Sequence, residues 1–449
     1  MVKAATKVAP KEPDEACKSS EVDNGTAIAT TQNERRTLAW GFAFLMNLTF
    51  STSGAVVTYP YTFGILGVAT AVLLLLGWMA IALYSTLAIV RAALKCDAKT
   101  LGDVGESMGG SWGRFAAELG QIVNLAFYIP VALQLCGDTL TWLVSNMDTT
   151  QCLGLWTFVI WAALLLLLQF MHNLHHGKWL TVLSVSLLVI KCFVNLPIMF
   201  ATESNPLSSA PVQAFGNSAV PASTWDVYAG AISSIPFGVC PIFIVVEIMA
   251  EMKEPEKIVQ SLYLAFAGML VLYVVPTIIA VTQWGYNLND PVTVGVSYSA
   301  NSVAANLFVL FATFNDAFLS SATMFKFACT RLPLSLKEND YSVQGLVKWL
   351  ILTVVYFAFA LIVATCIPSF MTLVGLLTSL TVVLPNATVP ACFIIVDRRR
   401  AQASTASFVV PILVAIVGVG ISAYILAGTI IDVTKIKFGS FENTFCGYS

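Results

Sequence analysis

Two runs of small, polar and helix-breaking residues stand inside otherwise apolar stretches, and each has the makeup of a main-chain binding site for a charged ligand. The first, residues 47–60, reads NLTFSTSGAVVTYP and carries Ser51, Thr52, Ser53, Gly54 and Ala55 ahead of Pro60. The second, residues 233–241, reads SSIPFGVCP, with Ser233, Ser234, Ile235 and Phe237 ahead of Gly238 and Pro241. Where a helix is interrupted within lipid, the N–H groups opening one half attract a carboxylate, and the carbonyls closing the other attract an ammonium. An amino acid presents both charges. Glycine and proline also kink membrane helices without binding anything. The matched position of the two runs, with serines in each, favours a binding site over paired kinks.

Ionisable side chains add a second kind of chemistry. Lys191 lies in the middle of an apolar stretch, among Leu188, Val189, Ile190, Cys192 and Phe193, about a dozen residues from the end at Lys178. Asp316 is flanked by Asn315 in another such stretch. Charges at membrane depth are costly, so this pair is read either as the seat of a coupling proton or as a buried ion pair that fixes packing. Ala317, Ser320 and Ser321 follow on one helix face, where two hydroxyls and a carbonyl suit Na⁺, or where small residues merely let helices approach. Tyr128 is a candidate to cap a substrate carboxylate, the alternative being a bond to a backbone carbonyl. No His/Asp/Ser set or metal-ligand cluster is placed at membrane depth, which argues against a membrane enzyme. No cofactor beyond a coupling ion (H⁺ first, Na⁺ second) and no nucleic acid is expected. His172, His175 and His176 fall in a short turn and read as solvated.

The elements that must position these groups follow from composition. Of 449 residues, 57% are hydrophobic and 11% charged, too little charge to solvate a water-soluble globule of this size. Apolar stretches of about 20 residues cross a bilayer as helix. Eleven are present: Leu38–Ile65, Val68–Leu94, Phe115–Asn146, Leu153–Met171, Trp179–Phe200, Trp225–Ala250, Ser261–Trp284, Ala300–Phe325, Leu346–Cys366, Pro368–Val396 and Phe408–Ile431. The polar runs thus lie in the first and sixth, Lys191 in the fifth and Asp316 in the eighth. The fold class expected is an all-α polytopic membrane protein.

Lysine and arginine are retained on the cytosolic side of membranes. With a cytosolic N-terminus, the external loops hold none of the 23, the external tail holds Lys435 and Lys437, and only Lys191 lies within a span. The chain therefore divides into a polar, disordered cytosolic arm (1–37), a membrane domain (38–431) and an external C-terminal tail (432–449). The loop 203–224 reads as an irregular cap. Cys152 and Cys446 both fall outside the cytosol, so a disulfide between them is possible; the other cysteines read mostly as small hydrophobes.

Three motif regions resemble the amino acid/auxin permease family, of the amino acid–polyamine–organocation superfamily. They are LGDVGESMGG at Leu101–Gly110 with Trp112, Arg114 and Cys136–Leu140; EMKEPEK at Glu251–Lys257; and GAVVTYPYTF at Gly54–Phe63. The resemblance implies a LeuT-like fold, in which two inverted five-helix repeats carry discontinuous helices 1 and 6 and an eleventh helix is added. It implies import of amino acids by alternating access, driven commonly by protons and in some branches by sodium. The substrate would meet the backbone of Ser51–Ala55 and Ser233–Phe237. Members often have two glycines in the first break; here Gly54 stands between Ser53 and Ala55, which narrows the space. Lys191 is placed like the fifth-helix lysine whose ammonium replaces sodium in some relatives, whereas Ser320 and Ser321 resemble the hydroxyls of a sodium site. The plasma membrane is the favoured host, with a vacuolar or other endomembrane as the alternative. The rival readings are a channel and a nutrient sensor built on a transporter scaffold.

Overall fold

The computed structural model describes residues 38–145, 153–170, 174–202, 214, 224–285, 288, 290–293, 296–331, 342–367 and 369–435. The N-terminal arm, Cys152, His172, Pro368, Cys446 and the end of the tail lie outside the described residues, as do the side chains of Ser51, Ser53, His175 and His176.

Among the described residues the regular structure is all helical, apart from one isolated bridge between Leu38 and Met252. In chain order the helices are α1 (Trp40–Leu66), α2 (Val68–Cys96), α3 (Leu101–Ser145), α4 (Leu153–Phe170) and α5 (Trp179–Thr202). There follow α6 (Trp225–Glu251), α7 (Ile258–Trp284), α8 (Ala300–Arg331), α9 (Val343–Cys366), α10 (Phe370–Arg400) and α11 (Val409–Lys435). Among the described residues, nine helices are long and apolar enough to cross a bilayer, and the bent α1 makes a tenth. The stretch in α4 is shorter, Leu155–Leu166.

Burial sorts the helices. The central window of α6 is 89% buried, against 28% in α9 and α11, so α6 is enclosed by protein while α9 and α11 turn apolar faces such as Ile351, Val355, Leu413 and Ile416 outward. α1 packs on α7, α6, α8 and α5, and α3 packs on α8, α4 and α9. The two helices with polar runs thus lie side by side in the middle of the bundle.

Local chemistry explains the joints. The turn between α1 and α2 narrows to Gly67 alone, whose φ of 80° lies where a side chain is strained. Ser342 caps α9, its hydroxyl accepting from Gly345 N at 3.1 Å. α5 passes into a π-helical turn at Lys191–Asn195, and α10 contains two more, Thr378–Val382 and Leu384–Thr388. Such turns widen a helix and recur at functional sites.

The first two family-like motifs build the helix ends that carry the lysines and arginines, called here the basic end. α3 begins as a short helix that reverses at Gly110 (φ 66°), and Gly105 and Gly113 then touch so closely that a Cβ on either would strike the other's carbonyl. Arg114 binds Asp103 Oδ1 at 3.1 Å and Glu118 Oε1 at 3.0 Å, and also Glu106. Beside this hairpin the chain entering α1 is clipped to the end of α6: Leu38 N donates to Glu251 O at 3.0 Å, and Lys253 N donates to Leu38 O at 2.9 Å. Within α6, the buried Glu247 accepts from Gln121 Nε2 at 2.7 Å and from Leu101 N at 3.4 Å. These motifs are structural seams between α1, α3 and α6.

Candidate functional site

α1 and α6 depart from regular helix in different ways. α1 remains helical but bends by 47° between Trp40–Phe50 and Gly54–Leu66. Its hydroxyls return to their own helix: Thr49 Oγ1 donates to Leu45 O at 2.9 Å, Thr58 Oγ1 to Ala55 O at 2.9 Å, and Thr52 Oγ1 to Leu48 O. Such back-bonding loosens and bends a helix without opening it. α6 opens: its first half ends at Phe237, Gly238–Pro241 intervene, and the second half starts at Ile242. Pro236 and Pro241 each lack an N–H, so an unbroken ladder cannot form here.

Several carbonyls at the opening are met by side chains from three other helices. Tyr59 Oη on α1 donates to Ile235 O at 3.2 Å, Trp78 Nε1 on α2 donates to Val239 O at 3.1 Å, and Tyr273 Oη on α7 donates to Gly238 O. Tyr59 and Tyr273 stack with ring centres 4.4 Å apart, which fixes both hydroxyls. Gly238 is required at this crossing, since a Cβ there would lie 2.7 Å from both Ala55 Cβ and Tyr59 Oη. Tyr59, Trp78 and Tyr273 were missed in the sequence; an aromatic next to Pro60 carries no sign of a partner on another helix.

The bend and the opening meet at an aromatic stack. Tyr128 on α3 lies between Phe50 of α1, at 5.7 Å, and Phe237 of α6, at 6.2 Å, with interplanar angles of 18° and 22°. Its hydroxyl donates to Asp316 Oδ2 on α8 at 3.3 Å. Gly54 borders the same space: a Cβ there would rest at ordinary contact, 3.5 Å from Leu135 and 3.6 Å from Phe237. Phe50 also escaped the sequence reading, although it directly precedes Ser51. Ala55 packs against Gly238, and Ile235 contributes its carbonyl to Tyr59. Ser233 Oγ turns back onto Gly230 O at 2.7 Å, whereas Ser234 Oγ is buried without a hydrogen-bond partner.

The ionic candidates surround this centre. Lys191, at the start of the π-turn in α5, is fully buried; its Nζ makes no hydrogen bond, and Asp316 acts on it through space. Asn315, Asp316, Ala317, Ser320 and Ser321 are all fully buried on α8, and the hydroxyls of Ser320 and Ser321 have no hydrogen-bond partner. Buried polar groups in folded proteins are nearly always satisfied, and unsatisfied ones concentrate where a ligand, ion or proton is handled. No group of three or more His, Cys, Asp or Glu able to hold a metal ion occurs among the described residues. The arrangement offers one carboxylate, one ammonium, unpartnered hydroxyls and an aromatic wall between two distorted helices.

Comparison with known proteins places this geometry. The chain resembles the crystal structure of MhsT in complex with L-phenylalanine, with a TM-score of 0.52 and 14% identity over 86% of this chain and 98% of that one. It resembles the inward-facing conformation of Mhp1 equally, with a TM-score of 0.52 and 14% identity over 93% and 97% of the two chains. Both are LeuT-fold transporters, and at this identity the likeness concerns the fold. No curated protein sequence matches significantly. The family described as transmembrane amino acid transporter protein matches residues 36–431. With that match spanning the whole helical bundle, the chain belongs to the transmembrane amino acid transporter family and carries it on a LeuT-like fold.

Proposed function

We propose that the chain moves an amino acid by alternating access in symport with a proton, the substrate lying between the bend of α1 and the opening of α6. The observation that carries this reading is the Phe50–Tyr128–Phe237 stack, because its central ring is hydrogen-bonded to the buried Asp316. A ligand entering between Gly54 and Phe237 therefore presses on a side chain tied to the ionic centre. The L-phenylalanine held by MhsT supports an amino acid as the cargo. The substrate carboxylate is assigned to the N–H groups of Ile242 and Phe243, which open the second half of α6 ahead of Ile244 and Val245, whose own N–H groups donate to Pro241 O at 3.3 and 3.2 Å. The ammonium is assigned to the bend at Ser51–Ala55, where a helical carbonyl oxygen can accept a second hydrogen bond beside its ladder partner, because Ile235, Gly238 and Val239 already have side-chain donors for their carbonyls.

In this reading Lys191 and Asp316 exchange the coupling proton. Lys191 Nζ is buried without a hydrogen-bond partner and Asp316 acts on it through space, which supports the two as the seat of the exchange. The basic end faces the cytosol, the C-terminus lies outside, and the plasma membrane is the favoured host with an endomembrane as alternative. A second reading, sodium coupling, is supported by the unpartnered Ser320 and Ser321 hydroxyls. The test is uptake of radiolabelled amino acids into proteoliposomes under imposed proton or sodium gradients, repeated with Lys191→Ala. Concentrative uptake driven by a proton gradient, with the pH response lost in Lys191→Ala, is the expected result. Uptake that follows sodium alone would move coupling to the serines, and binding without net transport would make the protein a sensor.

A further inference from the structure

Among the described residues, the end of the bundle opposite the basic one carries four carboxylates. Asp138 lies near the end of α3, Asp226 at the start of α6, Asp290 between α7 and α8, and Asp432 near the end of α11. The chain has no lysine or arginine from residue 258 to residue 325, and the nearest after Asp432 are Lys435 and Lys437. Asp290 differs from the other three in its surroundings. Both of its carboxylate oxygens are enclosed and neither has a hydrogen-bond partner. Burial first, and then the Asp138 carboxylate, push its carboxyl well above the ordinary range.

The backbone around Asp290 is pinned to three helices. Val292 N donates to Val57 O of α1 at 3.0 Å, and Asn306 Nδ2 of α8 donates to Thr293 O at 2.9 Å. Trp142 Nε1 of α3 donates to Val296 O at 3.2 Å, and its ring lies 5.5 Å from that of Tyr298. Val292 and Thr293 are buried as a result. Trp142 comes four residues after Asp138, so a single face of α3 supplies both the carboxylate and the indole. Among the described residues, the other titratable groups near Asp290 are Tyr61 on α1 and, acting on that tyrosine, Asp226 and Asp432.

An ionised carboxylate enclosed without a donor costs far more than the few contacts around it return, so the group is held neutral or meets a cation. With no basic side chain in the connection, and no trio of ligands for a metal among the described residues, the proton is the cation that fits. We propose that Asp290 and Asp138 form a carboxyl pair that binds a proton at the end opposite the basic one, and that this proton keeps Asp290–Thr293 and Val296–Tyr298 seated on α1, α3 and α8. The pair is separate from Lys191 and Asp316. It makes the seating of this stretch over α1 respond to pH on that face, whichever ion drives transport.

The sign follows from linkage. Released into water, Asp290 would titrate near 4; seated, it holds its proton to higher pH. Between those two values each opening releases a proton, so opening grows more favourable by up to about tenfold per pH unit. The seating is therefore strongest in acid and is lost as pH rises towards the raised seated value, above which the loss levels off.

The experiment is hydrogen exchange of the purified full chain in lipid nanodiscs, following peptides from this connection over roughly pH 5 to 8 and correcting for intrinsic exchange. Protection of the wild-type stretch should fall with pH. Asp290→Asn, which copies the neutral acid, should stay protected to higher pH than the wild type, with a smaller slope. Asp138→Asn removes the neighbouring charge, so its protection should stop falling at a lower pH; this variant serves as the test if Asp290→Asn does not fold. A wild-type stretch with no slope, an Asp290→Asn variant with the wild-type slope, or protection that follows sodium at fixed pH would overturn the proposal.

Discussion

α1 and α6 begin from nearly the same sequence signal, small hydroxyl residues followed by glycine and proline, and reach different backbones. In α1 Thr49, Thr52 and Thr58 each donate to a carbonyl of their own helix, and the chain bends and stays closed. In α6 two prolines remove donors, and the freed carbonyls are met from α1, α2 and α7 by Tyr59, Trp78 and Tyr273. What the local sequence decides is that regular helix is weakened. Whether the weak point bends or opens is decided by donors on neighbouring helices.

The two glycines test this difference most directly. Gly54 borders the space beside the aromatic stack, so Gly54→Leu should abolish measurable substrate binding in an equilibrium assay; unchanged affinity would move the site elsewhere. Gly54→Ala, whose Cβ meets only ordinary contacts, should fold as the wild type does. Gly238→Ala places a methyl against Ala55 and Tyr59 and should cost about 1–3 kcal/mol, the usual penalty of overpacking, read as a fall in thermal stability. If the two alanine variants were equally stable, the contrast between an open α1 face and a closed α6 crossing would be lost.

Smaller effects sharpen the comparison. Tyr273→Phe leaves Gly238 O without its donor in a buried setting and should cost about 1–2 kcal/mol of stability, with slower exchange between transport states measured by substrate efflux. Thr52→Val removes a hydroxyl that donates to Leu48 O of its own helix, whose carbonyl retains its ladder partner, and that also meets the Tyr273 hydroxyl; a change of about 1 kcal/mol, smaller than that of Tyr273→Phe, is expected. A Thr52→Val effect larger than that of Tyr273→Phe would mean that α1, not α6, depends on its side-chain bonds.

Much of the site could be read from residue types alone. Glycine, proline and serine mark weakened helix, and a lysine or aspartate in an apolar run marks a costly burial, so Gly54, Lys191 and Asp316 stood out before any packing was known. The meeting of Tyr128 with Asp316, from helices 188 positions apart in sequence, could not be read in that way. Nor could the seam role of LGDVGESMGG and EMKEPEK, whose residues looked as fit for ligand binding as for the tight contact of Gly105 with Gly113 and the pairing of Leu38 with Glu251. Asp290 was invisible for the same reason: in a polar connection an aspartate looks solvated until the fold encloses it.

The sequence by itself determined that the chain is a bundle of membrane helices, where its basic end lies, and which helices are locally weakened. Those properties depend on the transfer free energy of stretches to lipid and on backbone rules that act over a few residues. Tertiary structure decided which weakened helix opens, which aromatic rings line the gap, and which carboxylates are left without a donor. Each of those depends on a partner supplied from another helix, and a partner distant in sequence leaves no mark on the residues around the group it satisfies.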